Sequence, residues 1–497
     1  MISTSQLIRL HEDDNVAVAL QPLQTGVTVE LAGCCIQISE NIETGHKVAV
    51  RDIAQGENIV KYGYPIGHAV SPIPAGAFVH THNLRTNLSG VLQYAFTPRL
   101  SPAPEARIGT FMGYVRSNGD IGIRNEIWIV NTVGCVNKTA EILAREANRL
   151  YEGRTDGIFC FPHPYGCSQL GDDHLMTQRV LAGMVKHPNA AGVLVLGLGC
   201  ENNNIPEFGK LLGDVDERRV RFLSAQDVED EIEAGLALIG ELVAYAGGFT
   251  RQPVPVSSLV VGLKCGGSDS FSGITANPLL GQFSDLLLSY GGATVLTEVP
   301  EMFGAETILM NRCIDEHVFH KTVQLINGFK EYYIRHDQVV YENPSPGNKK
   351  GGITTLEEKS LGCTQKGGTG PVVDVLEYGE RVTRAGLNLL QGPGNDIVAC
   401  TALMAAGCHM ILFTTGRGTP LGAPVPTVKV STNSDLYKRK KGWIDYNAGQ
   451  LLEGRTMTEV RDEFFQFVLD VASGTTRTRN EANGYREIAI FKDGVTL

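Results

Sequence analysis

The chain has 497 residues, 42% of them apolar and 20% charged, with a formal net charge of −11. These are the values of an ordinary globular protein of roughly three domains, at about 150 residues each. The acidic balance argues against nucleic acid or an anionic membrane as partner, and a small anionic substrate would need a local basic site.

The opening stretch "MISTSQLIRLHEDDN" has no basic start followed by an apolar core, so no signal peptide is expected. The longest apolar run, "AAGVLVLGLGC", falls short of the ~20 residues that cross a bilayer. Eleven Cys form no CxxC and no disulfide-like spacing, which predicts reduced thiols in a cytoplasmic protein, some of them free to bind metal.

Residues 1–96 contain short alternating runs such as "VTVELAGCCIQI" and "HKVAVRDI" between Gly-marked turns, the pattern of a small β domain. The proline-rich "TPRLSPAPEARIG" predicts a linker over 97–110, and "GGFTRQPVPV" a second boundary near 248. Residues 111–248 and 249–497 alternate short apolar strands with longer helical stretches, which predicts two α/β domains with mostly parallel sheets. Predicted strands cover 126–133, 157–161, 192–198 and 220–224 in the first, and 258–264, 293–299, 387–391 and 410–415 in the second. A helix at "KTAEILAREANRLYEG" puts Ala140, Leu143, Ala147 and Leu150 on one stripe. The longest irregular piece spans 342–370, and loops of that length are uncommon unless functional or disordered.

Open α/β sheets bind ligands beyond the carboxyl ends of their strands. There the sequence places Cys135, His163 with Cys167, Cys200 with Glu201, Cys265 with Asp269, Glu301, Asn395 with Asp396, and Arg417. Cys135, Cys167 and Cys200 are 32 and 33 residues apart, about one βαβ repeat, so each leaves the sheet at the same edge. Three such thiolates suit iron, zinc or an iron–sulfur cluster and leave one metal position open. A single Cys is explained as a tolerated turn residue; three in register favour ligation. "FVHTHNL" gives His80 and His82 ligand spacing if extended, though two surface histidines would look the same. Arg124 and Asn125 precede the first strand of the middle domain, where an Arg either clamps a carboxylate or pairs with a surface acid. Lys349, Lys350, Lys359 and Lys366 stand among glycines in the long loop, as a lid over an anion or a solvated segment. The dinucleotide fingerprint is incomplete, and GxxxxGK and GxSxG are missing.

"NGDIGIRNEIWIVNTVGCVN", "YGCSQLGDDH", "VLGLGCENN", "CGGSD", "TEVPEMFGAE", "ENPSPGNKKGGITTLEEKSLGCTQKGG", "GPGND" and "TTGRGTP" occur in this order. Together they resemble the altronate and galactarate dehydratases from about Arg9 to the C-terminus. That resemblance implies an N-terminal SAF-type β domain, two α/β domains and an iron-dependent removal of water from a sugar acid. "KSLGCTQKGG" and "PGND" resemble the altronate branch, implying conversion of D-altronate to 2-dehydro-3-deoxy-D-gluconate in hexuronate catabolism. Alternatives are galactarate or a sulfonated hydroxy acid as substrate, or a non-catalytic sugar-acid sensor, which has no need of convergent thiols.

The resemblance points to iron, as Fe2+ or a cluster, on Cys135, Cys167 and Cys200, with His80 and His82 as further ligands. It makes His163, His174 and His82 acid–base candidates, and Arg124, Asn125, Glu301, Lys366, Asn395 and Arg417 substrate-binding candidates. Lys264 stands where the family has an uncharged or acidic residue and is given no role; Pro164 is a second departure, beside His163. The expected partner is a small sugar acid, with no nucleic acid or membrane, and a homodimer is left open.

Overall fold

The computed structural model describes residues 2–3, 6–31, 33–102, 105–494 and 496. The N-terminal domain is built from short antiparallel strands, the main sheet running 2–3, 7–9, 16–19, 47–49 and 78–79 in spatial order. Alternating residues such as Val29, Leu31 and Ile36 point into one small core, and Ile53, Ile59, Ile66 and Val79 into another.

The middle domain carries a four-stranded parallel sheet of β1 (Glu126–Asn131), β2 (Ile158–Cys160), β3 (Ala190–Gly197) and β4 (Val220–Ser224), in the order β2-β1-β3-β4. β1 and β3 are buried throughout because helices cover both faces, which is why they read as continuous apolar runs. The C-terminal domain holds seven parallel strands: β5 (Val260–Cys265), β6 (Ala293–Leu296), β7 (Val372–Leu376), β8 (Gly386–Leu390), β9 (Met410–Thr415), β10 (Thr427–Ser431) and β11 (Tyr446–Asn447). Their order is β7-β8-β6-β5-β9-β10-β11. The expected fold class, a β-rich SAF-type start followed by parallel α/β sheets, is the one observed.

Four helices matter for the site: α1 (Asn137–Leu150), α2 (Gly171–Val185), α3 (Leu356–Thr364) and α4 (Asp396–Ala405). On α1, Ala140, Leu143 and Ala147 are buried as expected, while Leu150 at the frayed end is 58% exposed. The 342–370 segment, read as irregular, instead forms a short helix, Pro346–Lys350, and α3. All nine residues of α3 are buried, polar ones included, so no amphipathic period marked it. Part of the second proline-rich stretch, Gln252–Pro255, pairs with Thr110–Val115. Among the described residues no helix is long and apolar enough to cross a membrane.

The two α/β sheets meet at the starts of their strands. His187 Nε2 lies 3.2 Å from the Cys408 carbonyl, and Asn189 Nδ2 donates to the His409 carbonyl at 2.9 Å. Gly183 near the end of α2 presses on Ala405 at the end of α4, where a Cβ would stand 2.5 Å from the Ala405 carbonyl oxygen.

Candidate functional site

Cys135 follows β1, Cys167 lies in the loop after β2, and Cys200 follows β3, so they occupy three neighbouring loops. Main-chain bonds tie these loops together: Gly134 N–H to the Tyr165 carbonyl at 2.9 Å, and Asn203 N–H to the Gly166 carbonyl at 3.0 Å. Ser168 N–H donates to Asn202 Oδ1 at 2.9 Å. Gly166 is obligatory: its φ is +97°, and a Cβ there would lie 1.9 Å from the Thr132 carbonyl oxygen. All three thiols are exposed, and their nearest polar partners are weak, Ser168 Oγ at 3.9 Å from Cys167 Sγ and Gln226 Nε2 at 3.6 Å from Cys200 Sγ. Buried polar atoms without a protein partner occur close by in the chain, at Asn131 Oδ1 at the end of β1, Gln169 Nε2 two residues after Cys167, and His174 Nδ1 in the first turn of α2.

The histidines separate sharply. His163 is buried with both ring nitrogens taken, Nε2 donating to the Asn131 carbonyl at 2.9 Å and Nδ1 accepting from Tyr165 N–H at 3.1 Å. Burial lowers its pKa, so it is a neutral strut of the loop. His80 and His82 do not lie on an extended strand, because the strand ends at Val79 and Asn83 N–H turns back to the His80 carbonyl at 3.0 Å. His80 Nε2 reaches the Lys349 carbonyl at 3.0 Å, and burial, then Lys47, pull its pKa down to about 4. His82 is exposed, packed on Phe78. Of the acid–base candidates, His174 keeps a buried Nδ1 without a protein partner, and the exposed His82 makes no ring hydrogen bond to another described residue.

Arg124 is engaged within the protein. Its guanidinium makes a bidentate pair with Glu481 at 2.6 and 3.0 Å and also donates to the Ile123 and Val471 carbonyls. Asn125 accepts from Arg116 Nη1 at 2.7 Å and donates to the Ala246 carbonyl. Both residues fasten the base of the middle domain.

The remaining candidates gather at the C-terminal edge of the large sheet. A cleft of about 580 Å³ is lined by Cys265, Glu301, Lys349, Lys359, Asn395, Asp396 and Arg417, among others. Asn395 caps α4 by accepting from Val398 N–H at 3.2 Å, which points the positive end of that helix into the cleft. Neither Arg417 nor the Lys349 ammonium has a hydrogen bond or ion pair with another described residue.

Beneath the cleft lies a buried network. Cys265 Sγ, Glu301 and Cys363 Sγ have donor atoms within 4.8 Å of one another, the one such group among the described residues. The sulfurs are 3.3 Å apart, and each lies 3.2–3.3 Å from Glu301 Oε2. Lys359 Nζ donates to Glu301 at 2.7 Å, and Lys366 Nζ contacts Cys265 Sγ at 2.9 Å and Glu298 at 3.2 Å. Lys264 bridges Glu298 and Asp396. Three ammonium groups thus face three carboxylates. Burial alone would raise the pKa of Glu301, but Lys359, then Lys264 and Lys366, hold it down at about 2. The Cys265 contact, followed by burial, pushes the Cys363 thiol well up. Glu298 sits at φ +67°, a left-handed conformation unusual for a non-glycine residue and held here by two lysines.

Sequence reasoning named Cys265 and Asp396 only as strand-end residues and missed Glu298 and Cys363 as members of the network. Glu298 was hidden inside a predicted strand that stops at Leu296. Lys264, set aside as a departure, is one of its cations.

Family models match three successive segments. These are the altronate/galactarate dehydratase SAF domain over 5–87, the second domain of D-galactarate dehydratase/altronate hydrolase over 113–247, and the C-terminal domain of D-galactarate/altronate dehydratase over 256–496. Altronate dehydratase of Bacillus subtilis is 55% identical over 99% of both chains. That of Escherichia coli K12 is 54% identical, covering 99% of this chain and 100% of its own. Galactarate dehydratase (L-threo-forming) of Escherichia coli K12 is 33% identical over 98% of this chain and 97% of its own. Three tied thiol loops, a cation-lined cleft and end-to-end similarity thus converge, and the chain belongs to the altronate/galactarate dehydratase family.

Proposed function

We propose that this chain is a hydro-lyase that converts D-altronate to 2-dehydro-3-deoxy-D-gluconate and water, in the cytoplasm, with iron held by Cys135, Cys167 and Cys200. The observation that carries the reading is the set of three exposed thiols on tied loops at the C-terminal ends of β1, β2 and β3, and it is supported by a cleft beyond the large sheet where Arg417 and the Lys349 ammonium are uncommitted. Similarity to the two altronate dehydratases supports the substrate over galactarate, whose dehydratase is the more distant relative.

Exposed thiols on adjoining loops have the donor chemistry iron takes, but the three sulfurs do not lie within 4.8 Å of one another, so a shared metal requires these loops to draw together around it. Bound iron would supply Lewis acidity toward the substrate carboxylate and the departing hydroxide. Arg417 and Lys349 would receive the carboxylate, assisted by the N-terminus of α4. His174, whose Nδ1 has no protein partner, would take the C2 proton. The enol formed on loss of water tautomerises to the 2-keto acid.

A second reading puts the metal on Cys265, Glu301 and Cys363, favoured by their convergence. Charge speaks against it, because two of its three donors, Glu301 and Cys265, are already in contact with the Lys359 and Lys366 ammonium groups, which would repel a dication. Anaerobic purification with iron and sulfide analysis, then assay on altronate, galactarate and gluconate, tests the whole proposal. Preference for altronate in kcat/KM is expected; equal or reversed preference would sink the assignment to this branch.

A further inference from the structure

The first turn of α3 is held by bonds from the N-terminal domain as well as by Thr354 of its own domain, whose N–H and Oγ1 donate to Glu358 at 2.9 and 2.7 Å. Thr355 Oγ1 donates to the Ile66 carbonyl at 2.6 Å. Glu357 Oε1 accepts from Thr86 Oγ1 at 2.8 Å and Asn87 N–H at 2.6 Å. Glu358 accepts from two lysines of the N-terminal sheets, Lys47 Nζ and Lys61 Nζ, each at 2.8 Å. All three side chains of that trio are at most 1% exposed. Lys47 also donates to the Gly352 carbonyl at 2.8 Å, and Lys61 to Ser270 Oγ at 3.2 Å. The same helix carries Lys359 and Cys363 in the network below the cleft, and Lys366 follows it.

Two cations on one carboxylate leave a net positive charge buried between domains. If cohesion were all that was needed, apolar contacts would provide it with less desolvation, as Leu361 and Ala305 already do against Ile59 and Ile66. A bifurcated ion pair fixes position instead, because each carboxylate oxygen has its own donor. We propose that Lys47, Lys61 and Glu358 are positioning residues. Through them the N-terminal domain sets where α3 holds Lys359 at the cleft and Cys363 in the network beneath it. The inference rests on the reading of that cleft as part of the reaction site.

The test uses the full-length chain with Lys61→Met and, separately, Lys47→Met/Lys61→Met/Glu358→Gln. The single variant leaves a neutral Lys47–Glu358 pair, and the triple variant leaves no buried charge, so both are designed to fold. Each is assayed for kcat and KM on altronate, for thermal midpoint, and for the rate of Cys363 alkylation by iodoacetamide, read by peptide mass spectrometry. Expected are a midpoint close to that of the parent, little change in KM, faster Cys363 labelling, and a kcat lower by about tenfold or more, since small misplacements remote from the chemistry have effects of that order. Unchanged kcat and labelling in folded variants would overturn the proposal. Failure of both variants to fold would overturn it too, by showing the trio to be a folding element. A parent enzyme inactive on altronate would sink the functional reading alone, and the labelling rates would still decide the clamp.

Discussion

The molecule holds two groups of thiols with opposite surroundings. In the middle domain Cys135, Cys167 and Cys200 stand exposed on tied loops, with no ion pair around them among the described residues. In the C-terminal domain Cys265 and Cys363 are buried among lysines and carboxylates that satisfy one another. Convergence of donor atoms is therefore an incomplete sign of a metal site. A thiol whose neighbourhood is already neutral has less to gain from a cation than one left open, and the charge balance around the donors separates the two cases.

The largest expected effect breaks the comparison outright. Cys→Ser at Cys135, Cys167 or Cys200 should remove iron and lower kcat/KM at least about a hundredfold, while the thermal midpoint holds because the thiols lie beyond the strands. Iron and activity retained in all three variants, with loss in Cys265→Ser and Cys363→Ser, would reverse the assignment of the two groups.

Next in size is Glu301→Gln. It leaves the Lys359 ammonium buried without its carboxylate, so a stability loss of about 3–5 kcal/mol is expected in urea unfolding, with iron content unchanged. A stability equal to that of the parent would mean that the buried network is not the charge-balanced unit described above.

The same residue sharpens the comparison through pH. Its folded pKa of about 2 lies below the ordinary 4.5, so its contribution to stability is complete above about pH 4.5 and lost as pH falls toward 2. The stability gap between the parent and Glu301→Gln should therefore narrow over that window. A constant gap would assign the loss to packing.

The smallest effect is expected at the open rim. Arg417→Ala should raise KM for altronate about tenfold with kcat nearly kept, the size of one hydrogen bond to a charged group. A fall in kcat with KM unchanged would place Arg417 outside carboxylate binding.

Much of the architecture was legible because strand and helix periods are local properties. All eight predicted α/β strands exist, and the register of three Cys along successive βα units marked one edge before any coordinates. β7, β10 and β11 escaped because short strands next to Gly- and Pro-rich turns leave little pattern. α3 escaped because its polar residues are buried by pairing, which removes the alternation that reports a helix face. For Arg124 the sequence leaves open a substrate carboxylate or an acid of the protein, because it does not show that Glu481 reaches it across the fold at 2.6 Å.

By itself the sequence determined the fold class, the family resemblance and which loops leave which strand ends, since all three follow from residue order along the chain. The tertiary structure alone decided which of those residues are free. His163, Arg124 and Asn125 are committed to partners distant in sequence, His174 and Arg417 are not, and Lys47 and Lys61 come within 2.8 Å of Glu358 from about 300 residues away. The reason is that hydrogen-bond capacity and charge are spent on spatial neighbours, and spatial neighbours are set by packing.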